Sequence, residues 1–323
     1  MAKRVIIIVI SILLVLYIVL VNVLVSAALV PDFMRKLDSF QRITDKGYAE
    51  QVHTDDIKEN RKEALTEMEK WLRAAKMDKI QTTSYDGYRL IAARFPAEKE
   101  SHDWVILLHG YTGWKEEMYP FAYWYHARGF NVLVPDLRCQ GESDGDFIGM
   151  GWTDREDVML WIGEILAADK EAKILLHGQS MGAACALMMS GNENMYESVK
   201  AVVADCPYTD AYSMFQSKIK DWFNLPAFPL VDSANIMLMI RGGYNLKKAS
   251  AIEAVKHSKL PTLFIHGTKD AMIPYEMSLE LYENETAPKE LLLVEGAGHA
   301  QAQDKDPEGY YGAIDDFLKV YFD

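Results

Sequence analysis

The chain has 323 residues, half of them hydrophobic, so it can bury a large core and hold one large domain or two small ones. Its formal net charge of −13 and its lack of a lysine and arginine cluster argue against nucleic acid as a partner. Three cysteines without C-x-x-C spacing indicate neither a zinc site nor a disulfide framework.

The first segment of the chain is strongly apolar. Lys3 and Arg4 precede an uncharged run over residues 5–30, which exceeds the roughly 20 residues that cross a bilayer. We therefore predict a transmembrane signal anchor over residues 1–31. The positive residues ahead of it favour a cytoplasmic N-terminus, a single pass through the cell membrane and an extracytoplasmic location for the remainder. The alternative is secretion after cleavage near residues 25–27.

Residues 32–78 are polar and read as a connector. Within them, apolar residues recur at helical spacing between charged ones, which predicts an amphipathic helix over residues 55–76 capped by Thr54 or Asp55. We expect its apolar stripe to pack on the domain that follows.

From residue 79 to the end, strand-like and helix-like segments alternate, which is typical of an α/β fold with a mostly parallel sheet and helices on both faces. The predicted strands are 80–84, 89–95, 104–108, 131–134, 173–177, 199–204, 261–265 and 290–294. The predicted helices are 118–128, 154–168, 275–284 and 307–321. This arrangement would place the functional loops at the carboxyl ends of the strands.

A strand, a sharp turn and a helix meet at Ser180. The sequence Gly178-Gln179-Ser180-Met181-Gly182 follows an apolar strand and precedes a run of small and apolar residues, which is the context that G-x-S-x-G requires. Glycines two before and two after the serine allow the strand and helix to approach closely. A hydroxyl that projects from such a turn is suited to act as a nucleophile.

Partners for Ser180 follow two later strands. Asp270 lies in the loop after strand 261–265, and His299 lies in the loop after strand 290–294. With this order of serine, acid and histidine, residues 79–322 resemble the α/β-hydrolase superfamily. The resemblance implies that Ser180 is the nucleophile, that His299 is the general base and then acid, and that Asp270 orients the imidazole.

Three further motifs support or qualify this resemblance. His109-Gly110-Tyr111 matches the family's H-G-x turn, which implies an oxyanion hole formed by the backbone N–H groups of Tyr111 and Met181. Asp205, after strand 199–204, is the rival for the acid. In the loop over residues 136–143, which resembles D-x-R-G-x-G-x-S, Cys139 stands where glycine is usual.

Neither a cofactor nor a metal ion is expected. Residues 144–146, Asp-Gly-Asp, could suggest calcium, but the ligands of a proper loop do not follow, so an acidic turn is the plainer interpretation. His109, His177 and His266 precede glycines at strand ends, and we expect them to be structural.

Residues 207–258 form an insertion that is too long for a simple crossover between strands. In the α/β-hydrolase superfamily, which the chain resembles, such an insertion forms a helical lid over the nucleophile. The apolar character of the insertion suits an acyl chain or an aromatic group. The apolar residues are Tyr208, Tyr212, Met214, Phe215, Trp222, Phe223, Phe228, Ile236, Met237, Leu238 and Met239.

The resemblance is nearest to membrane-anchored, lid-bearing bacterial serine esterases and lipases, and to serine aminopeptidase-like hydrolases. We therefore expect a serine hydrolase that cleaves small-molecule carboxylic esters through an acyl-enzyme, with a preference for short to medium acyl chains. An aminopeptidase or amidase is the alternative, and Glu116 and Glu117 are the only obvious carboxylates for a substrate amine. A non-catalytic surface scaffold is the other alternative.

Overall fold

The structure is a computed structural model that describes residues 2–36 and 51–322. Its helices are α1 Ala2–Leu29, α2 Pro31–Lys36, α3 Asp55–Ala74, α4 Tyr119–His126, α5 Asp154–Ala168, α6 Met181–Ser190, α7 Ala211–Phe223, α8 Ala227–Arg241, α9 Ala251–Val255, α10 Glu276–Asn284, α11 Ala302–Lys305 and α12 Pro307–Tyr321. Its strands are β1 Asp78–Thr83, β2 Arg89–Phe95, β3 Asp103–Leu108, β4 Asn131–Pro135, β5 Lys173–Gln179, β6 Val199–Asp205, β7 Thr262–Gly267 and β8 Lys289–Val294.

The eight strands form one sheet in the order β1-β2-β4-β3-β5-β6-β7-β8. β1 pairs with β2, and β2 with β4, in antiparallel fashion, whereas every pair from β4 onward is parallel. The predicted α/β class with a mostly parallel sheet is therefore confirmed. Because the carboxyl ends of parallel strands share one edge, the loops after β3, β5, β6, β7 and β8 converge there.

Helices cover both faces of the sheet because the strand residues are apolar on both sides. Along β3, Ile106 and Leu108 belong to one buried cluster and Val105 and Leu107 to the other, as the two-residue period of a strand requires. The first cluster includes residues of α5, α6, α9 and α10, and the second includes residues of α4 and α12. The core therefore lies in two layers around the sheet.

The helix predicted over residues 55–76 is α3, and Met68, Trp71 and Leu72 pack against the second cluster. Residues 37–50 of the predicted connector lie outside the described residues. In the described part, α1 is the one helix long and apolar enough to cross a membrane. This finding is compatible with a membrane anchor or with a signal sequence.

Asp154, the first residue of α5, makes the stability of the fold depend on pH. Its side chain is buried, and burial together with Asp157 raises the pKa of Asp154 to about 7. Between the pKa of an unfolded aspartate, about 4, and about 7, the folded protein keeps a proton that the unfolded chain loses. Unfolding then releases a proton, so stability falls as pH rises through this window, by up to about 1.4 kcal/mol per pH unit.

We expect Asp154→Asn to flatten this dependence, because an amide carries no titratable proton. Thermal unfolding of the full chain in detergent at pH 5, 6 and 7 measures it. Asp144→Asn, at a half-exposed side chain, serves as the control. An identical slope in Asp154→Asn and wild type would contradict the assignment.

Candidate active site

Ser180 lies at the turn between β5 and α6, and its backbone has φ 56° and ψ −115°. This left-handed conformation is costly for a residue with a side chain, and it is a strained turn of the kind that nucleophilic serines occupy. The hydrogen bond from the Ser180 N–H to the Asp205 carbonyl, at 2.8 Å, helps to hold the turn. As a result, the hydroxyl faces the cavity at the edge of the sheet.

The two motif glycines are where strand and helix nearly touch. A Cβ added at Gly178 would lie 2.2 Å from the Gly182 carbonyl carbon, and one added at Gly182 would lie 2.1 Å from the Leu108 carbonyl oxygen. Real Cβ atoms do not approach backbone so closely. The spacing of the motif therefore reflects the packing of α6 on β3 and β5.

We expect Gly182→Ala to destabilise the protein by about 3 kcal/mol or more, because the contact is with backbone that cannot swing aside. Gly163→Ala, within α5, is the matched control, since the nearest atom to its added Cβ is the Tyr196 hydroxyl oxygen at 3.5 Å. Alanine is favoured over glycine within helices by up to about 1 kcal/mol, so this control should be neutral or stabilising. Thermal melts of both variants test the prediction, which equal melting temperatures would overturn.

Ser180, His299 and Asp270 form one hydrogen-bonded line. His299 Nε2 lies 3.0 Å from Ser180 Oγ, and His299 Nδ1 lies 2.7 Å from Asp270 Oδ2. An ionised carboxylate only accepts hydrogen bonds, so Nδ1–H donates to it and Nε2 is left to accept from the serine hydroxyl. The structure thus brings together the three side chains that the sequence singled out.

Asp270 is held by more than His299. The backbone N–H groups of Met272 and Ile273 each donate to its Oδ1 at 2.8 Å. Burial alone would raise the pKa of Asp270, but His299 and His266 hold it well below its usual range. A carboxylate that stays ionised can orient the imidazole and stabilise its charged form.

His266, which we expected to be structural, has its Nε2 3.1 Å from Asp270 Oδ2 and 3.0 Å from the Ile273 carbonyl oxygen. Its Nδ1 lies 2.6 Å from the Ser278 hydroxyl. Both neighbours of Nε2 are acceptors, so Nε2 carries the proton and Nδ1 accepts from Ser278. In the sequence, the spacing of four residues between His266 and Asp270 was the available indication that the two side chains could contact each other.

Asp205, the rival for the acid, is engaged elsewhere. Its Oδ2 accepts from the Gln179 amide at 2.9 Å and from the Tyr310 hydroxyl at 3.2 Å. Burial raises the pKa of Asp205. The Asp205 side chain therefore holds Gln179, the residue before Ser180, in place. Asp270 is the carboxylate that is hydrogen-bonded to His299.

The loop after β3 carries the predicted oxyanion turn. His109 holds it in place, because its Nδ1–H donates to the Gly110 carbonyl at 2.8 Å while its Nε2 accepts from the Leu137 N–H at 2.9 Å. Burial lowers the pKa of His109, which keeps the imidazole neutral in this role. Tyr111 and Met181 both line the cavity beside Ser180. Met181 begins α6, and the first N–H groups of a helix have no acceptor within it.

A cavity of 1040 Å³ opens in front of Ser180 and His299. From the predicted insertion, Tyr208, Met214 and Phe215 line it. Phe228, Ile236 and Met239 are exposed instead, and the side chains of Trp222 and Phe223 lie outside the described residues. The insertion folds as α7, α8 and α9, so it is helical as expected. Helix α3 supplies a further wall that includes Asn60 and Arg61.

Glu116 and Glu117 both line the cavity, but Glu116 is partly neutralised. Its carboxylate lies 3.3 Å from the Lys115 amine, which also contacts Asp136 at 2.7 Å and Glu142 at 2.9 Å. Burial and then Glu116 raise the pKa of Glu117. A substrate ammonium group would therefore compete with Lys115 for Glu116.

Cys139 has φ 64°, so it adopts the left-handed conformation that a glycine would occupy at this position. Burial raises the pKa of its thiol to about 12. The substitution therefore retains the local backbone path of the loop after β4.

Among the described residues, Cys206, Asp270 and His299 have potential metal-ligating atoms within 4.8 Å of one another. Two of the three are already hydrogen-bonded together at 2.7 Å. Burial raises the pKa of the Cys206 thiol, which disfavours the thiolate that a metal would bind.

The mostly parallel sheet, with helices on both faces and a serine at the turn from β5 to α6, has the architecture of an α/β hydrolase. A sequence model of the alpha/beta hydrolase family matches residues 105–313, more than half of the chain, and the chain belongs to this family. Membership supports a hydrolytic activity.

Relatives and solved structures agree with this assignment. YqkD of Bacillus subtilis is 27% identical over 223 residues, which are 69% of this chain and 73% of YqkD. YfhR of Escherichia coli K12 is 26% identical over 249 residues, 75% of this chain and 80% of YfhR. Among solved structures, an esterase of Pyrococcus furiosus is 24% identical with a TM-score of 0.64, over 77% of this chain and 93% of the esterase. An acylaminoacyl peptidase of Pyrococcus horikoshii is 18% identical with a TM-score of 0.57. The match covers 76% of this chain and 41% of the peptidase chain. At these identities the structural likenesses establish the fold.

Proposed function

We propose that the chain is a membrane-anchored serine hydrolase that cleaves carboxylic esters through an acyl-enzyme. The observation that carries the proposal is the hydrogen-bonded line from Ser180 Oγ through His299 to Asp270, with spacings of 3.0 Å and 2.7 Å. Each group stands within hydrogen-bond reach of the group with which it must exchange or share a proton.

The geometry supports two half-reactions. His299 Nε2 takes the hydroxyl proton of Ser180 as the oxygen attacks the ester carbonyl, and Asp270 stabilises the resulting imidazolium. The backbone N–H groups of Tyr111 and Met181 would receive the oxyanion, and one such donor is commonly worth about 3 kcal/mol. Return of the proton to the leaving alcohol gives the acyl-enzyme, which a water molecule hydrolyses by the same path.

The helices of the insertion act as a lid in this proposal. Met214 and Phe215 of α7 line the cavity with apolar surface, which suits an apolar acyl chain or an aromatic group on a small-molecule ester. Helix α1 acts as the single-pass anchor and places the catalytic domain outside the cytoplasm. Val25, Ser26 and Ala27 are buried and lie within helix α1. Their burial favours an uncleaved anchor over secretion after cleavage near residues 25–27.

The amidase alternative has weaker support, because the Lys115 amine lies 3.3 Å from the Glu116 carboxylate and would compete with a substrate amine for it. A chromogenic ester and an aminoacyl anilide, assayed side by side with the full chain in detergent, separate the two functions. We expect faster turnover of the ester. Faster turnover of the anilide would refute the esterase proposal, and turnover of neither would favour the non-catalytic scaffold.

A further inference from the structure

The end of α1 is built into the catalytic domain. Val25 and Leu29 are buried, and the Ile148 N–H donates to the Leu29 carbonyl at 2.9 Å. The Tyr111 hydroxyl donates to the Ala28 carbonyl. The apolar helix therefore reaches the residue whose backbone N–H forms the proposed oxyanion hole.

The same end of α1 forms part of the wall of the active-site cavity. Ala28 and Pro31 line the 1040 Å³ cavity together with Ser180 and His299. A second cavity of 80 Å³ lies between α1, α7 and α8. The two cavities share three lining residues, Ala28, Phe215 and Lys218. The smaller cavity therefore adjoins the larger one along α1, and we call the two together the α1 passage.

The α1 passage presents an almost wholly apolar surface in its smaller part. Its polar lining residues, Lys218 and Asn235, are engaged with the protein, because the Lys218 amine donates to the Ala271 carbonyl at 3.2 Å and the Asn235 amide donates to Asn245 Oδ1 at 3.0 Å. Other lining residues are Leu24, Val25, Leu29, Ile219, Val231, Ala234, Leu238 and Leu246. Such a surface favours hydrocarbon over water.

Helix α8 runs beside the membrane-length helix in the same direction. Ser233 Oγ lies 2.8 Å from the Tyr17 hydroxyl, and Arg241 donates to Ser26 Oγ at 2.9 Å. The N-terminal part of α8 is therefore level with the apolar middle of α1. On α1 the passage is lined by Leu24, Val25, Ala28 and Leu29, which directly follow the exposed apolar residues of the first twenty positions, so the passage lies beside the end of the segment that a bilayer would surround.

Apolar side chains of α8 face outward at this level. Phe228 is 74% exposed, Ile240 is 74% exposed and Ile236 is 58% exposed. Exposed apolar side chains that adjoin a membrane-spanning helix are stabilised by contact with the acyl chains of a bilayer. The surface beside the α1 passage therefore suits a lipid environment.

We propose that the α1 passage admits a long fatty acyl chain directly from the bilayer, so that the substrates are long-chain acyl esters dissolved in the membrane. This inference rests on the ester hydrolysis proposed above and names its substrate class. The acyl chain would lie between Ala28 and Phe215, with its carbonyl carbon at Ser180. The expected chains are longer than the short to medium ones that the sequence suggested.

The test uses the full chain in phosphatidylcholine nanodiscs with two esters, p-nitrophenyl palmitate in the bilayer and p-nitrophenyl acetate in water. Ala28→Phe fills the junction but keeps the backbone carbonyl that Tyr111 contacts. We expect the ratio of kcat/KM for palmitate to kcat/KM for acetate to fall about tenfold or more. Val19→Phe also introduces a phenyl ring, but at an outward-facing position of α1, and this control should alter turnover of neither ester.

A second variant guards against misfolding. Ala234→Phe narrows the smaller cavity from α8, and it should give the same selective loss of palmitate turnover. The passage is refuted if wild type hydrolyses acetate but not palmitate. It is refuted as well if palmitate turnover is unchanged in both variants. It is also refuted if both variants lose acetate and palmitate turnover equally. Turnover of neither ester by wild type would instead refute the proposed ester hydrolysis.

Discussion

Replacement of Ser180 by alanine is expected to lower ester turnover about 10⁶-fold and to abolish labelling by a fluorophosphonate probe. Such a probe forms a covalent bond only with an activated nucleophile, and Ser180 Oγ is the hydroxyl that lies 3.0 Å from His299 Nε2. Without it no acyl-enzyme can form. Gel fluorescence of the labelled protein and initial rates with a chromogenic ester measure the two effects.

The control for this experiment is Ser190, the last residue of the helix that follows Ser180. Ser190 is buried at the end of α6, and its hydroxyl donates to the Leu187 carbonyl at 2.8 Å. Ser190→Ala should retain both labelling and turnover. If Ser180→Ala were labelled as strongly as wild type, the nucleophile would be a different residue and the proposed mechanism would fail.

Most of the sheet was predictable because the strands from β2 onward are short, largely apolar runs bounded by polar turns. The strands predicted at 89–95 and 199–204 differ from β2 and β6 by at most one residue. β5 runs two residues further than predicted, through Gly178 and Gln179, because its pairing with β6 continues up to the serine turn. Strand order was beyond the sequence, since it depends on which crossovers pack most favourably.

At the site, local patterns predicted residues that lie in tight turns, and long-range contacts were missed. The G-x-S-x-G pattern at Ser180 predicts a strained turn, because glycines two before and two after the serine allow the strand and the helix to approach closely there. The bond between His266 and Asp270 was not foreseen, since it depends on the path of the loop after β7. The burial of the end of α1 was also missed, because apolar composition alone does not distinguish lipid from protein as the surrounding medium.

Asp270→Asn is expected to lower kcat about 10⁴-fold while leaving the fold intact. The amide is nearly the same size as the carboxylate, but it cannot accept at every position that Asp270 uses. Its NH₂ group facing His299 would turn the imidazole to the wrong tautomer, so that Nε2 would carry a proton and could not receive one from Ser180. Initial rates with a chromogenic ester, together with a thermal melt to verify folding, measure this effect.

Asp205→Asn is the matched comparison, because Asp205 is another buried aspartate at the carboxyl edge of the sheet. Its Oδ2 accepts from Gln179 and Tyr310, and an amide oxygen can accept both bonds. Its burial already favours the neutral form, as the raised pKa of Asp205 indicates. We therefore expect Asp205→Asn to keep most of the turnover that Asp270→Asn loses. If Asp205→Asn lost more turnover than Asp270→Asn, Asp205 at the end of β6 would be the catalytic acid. His299 would then have to turn away from Asp270 during the reaction.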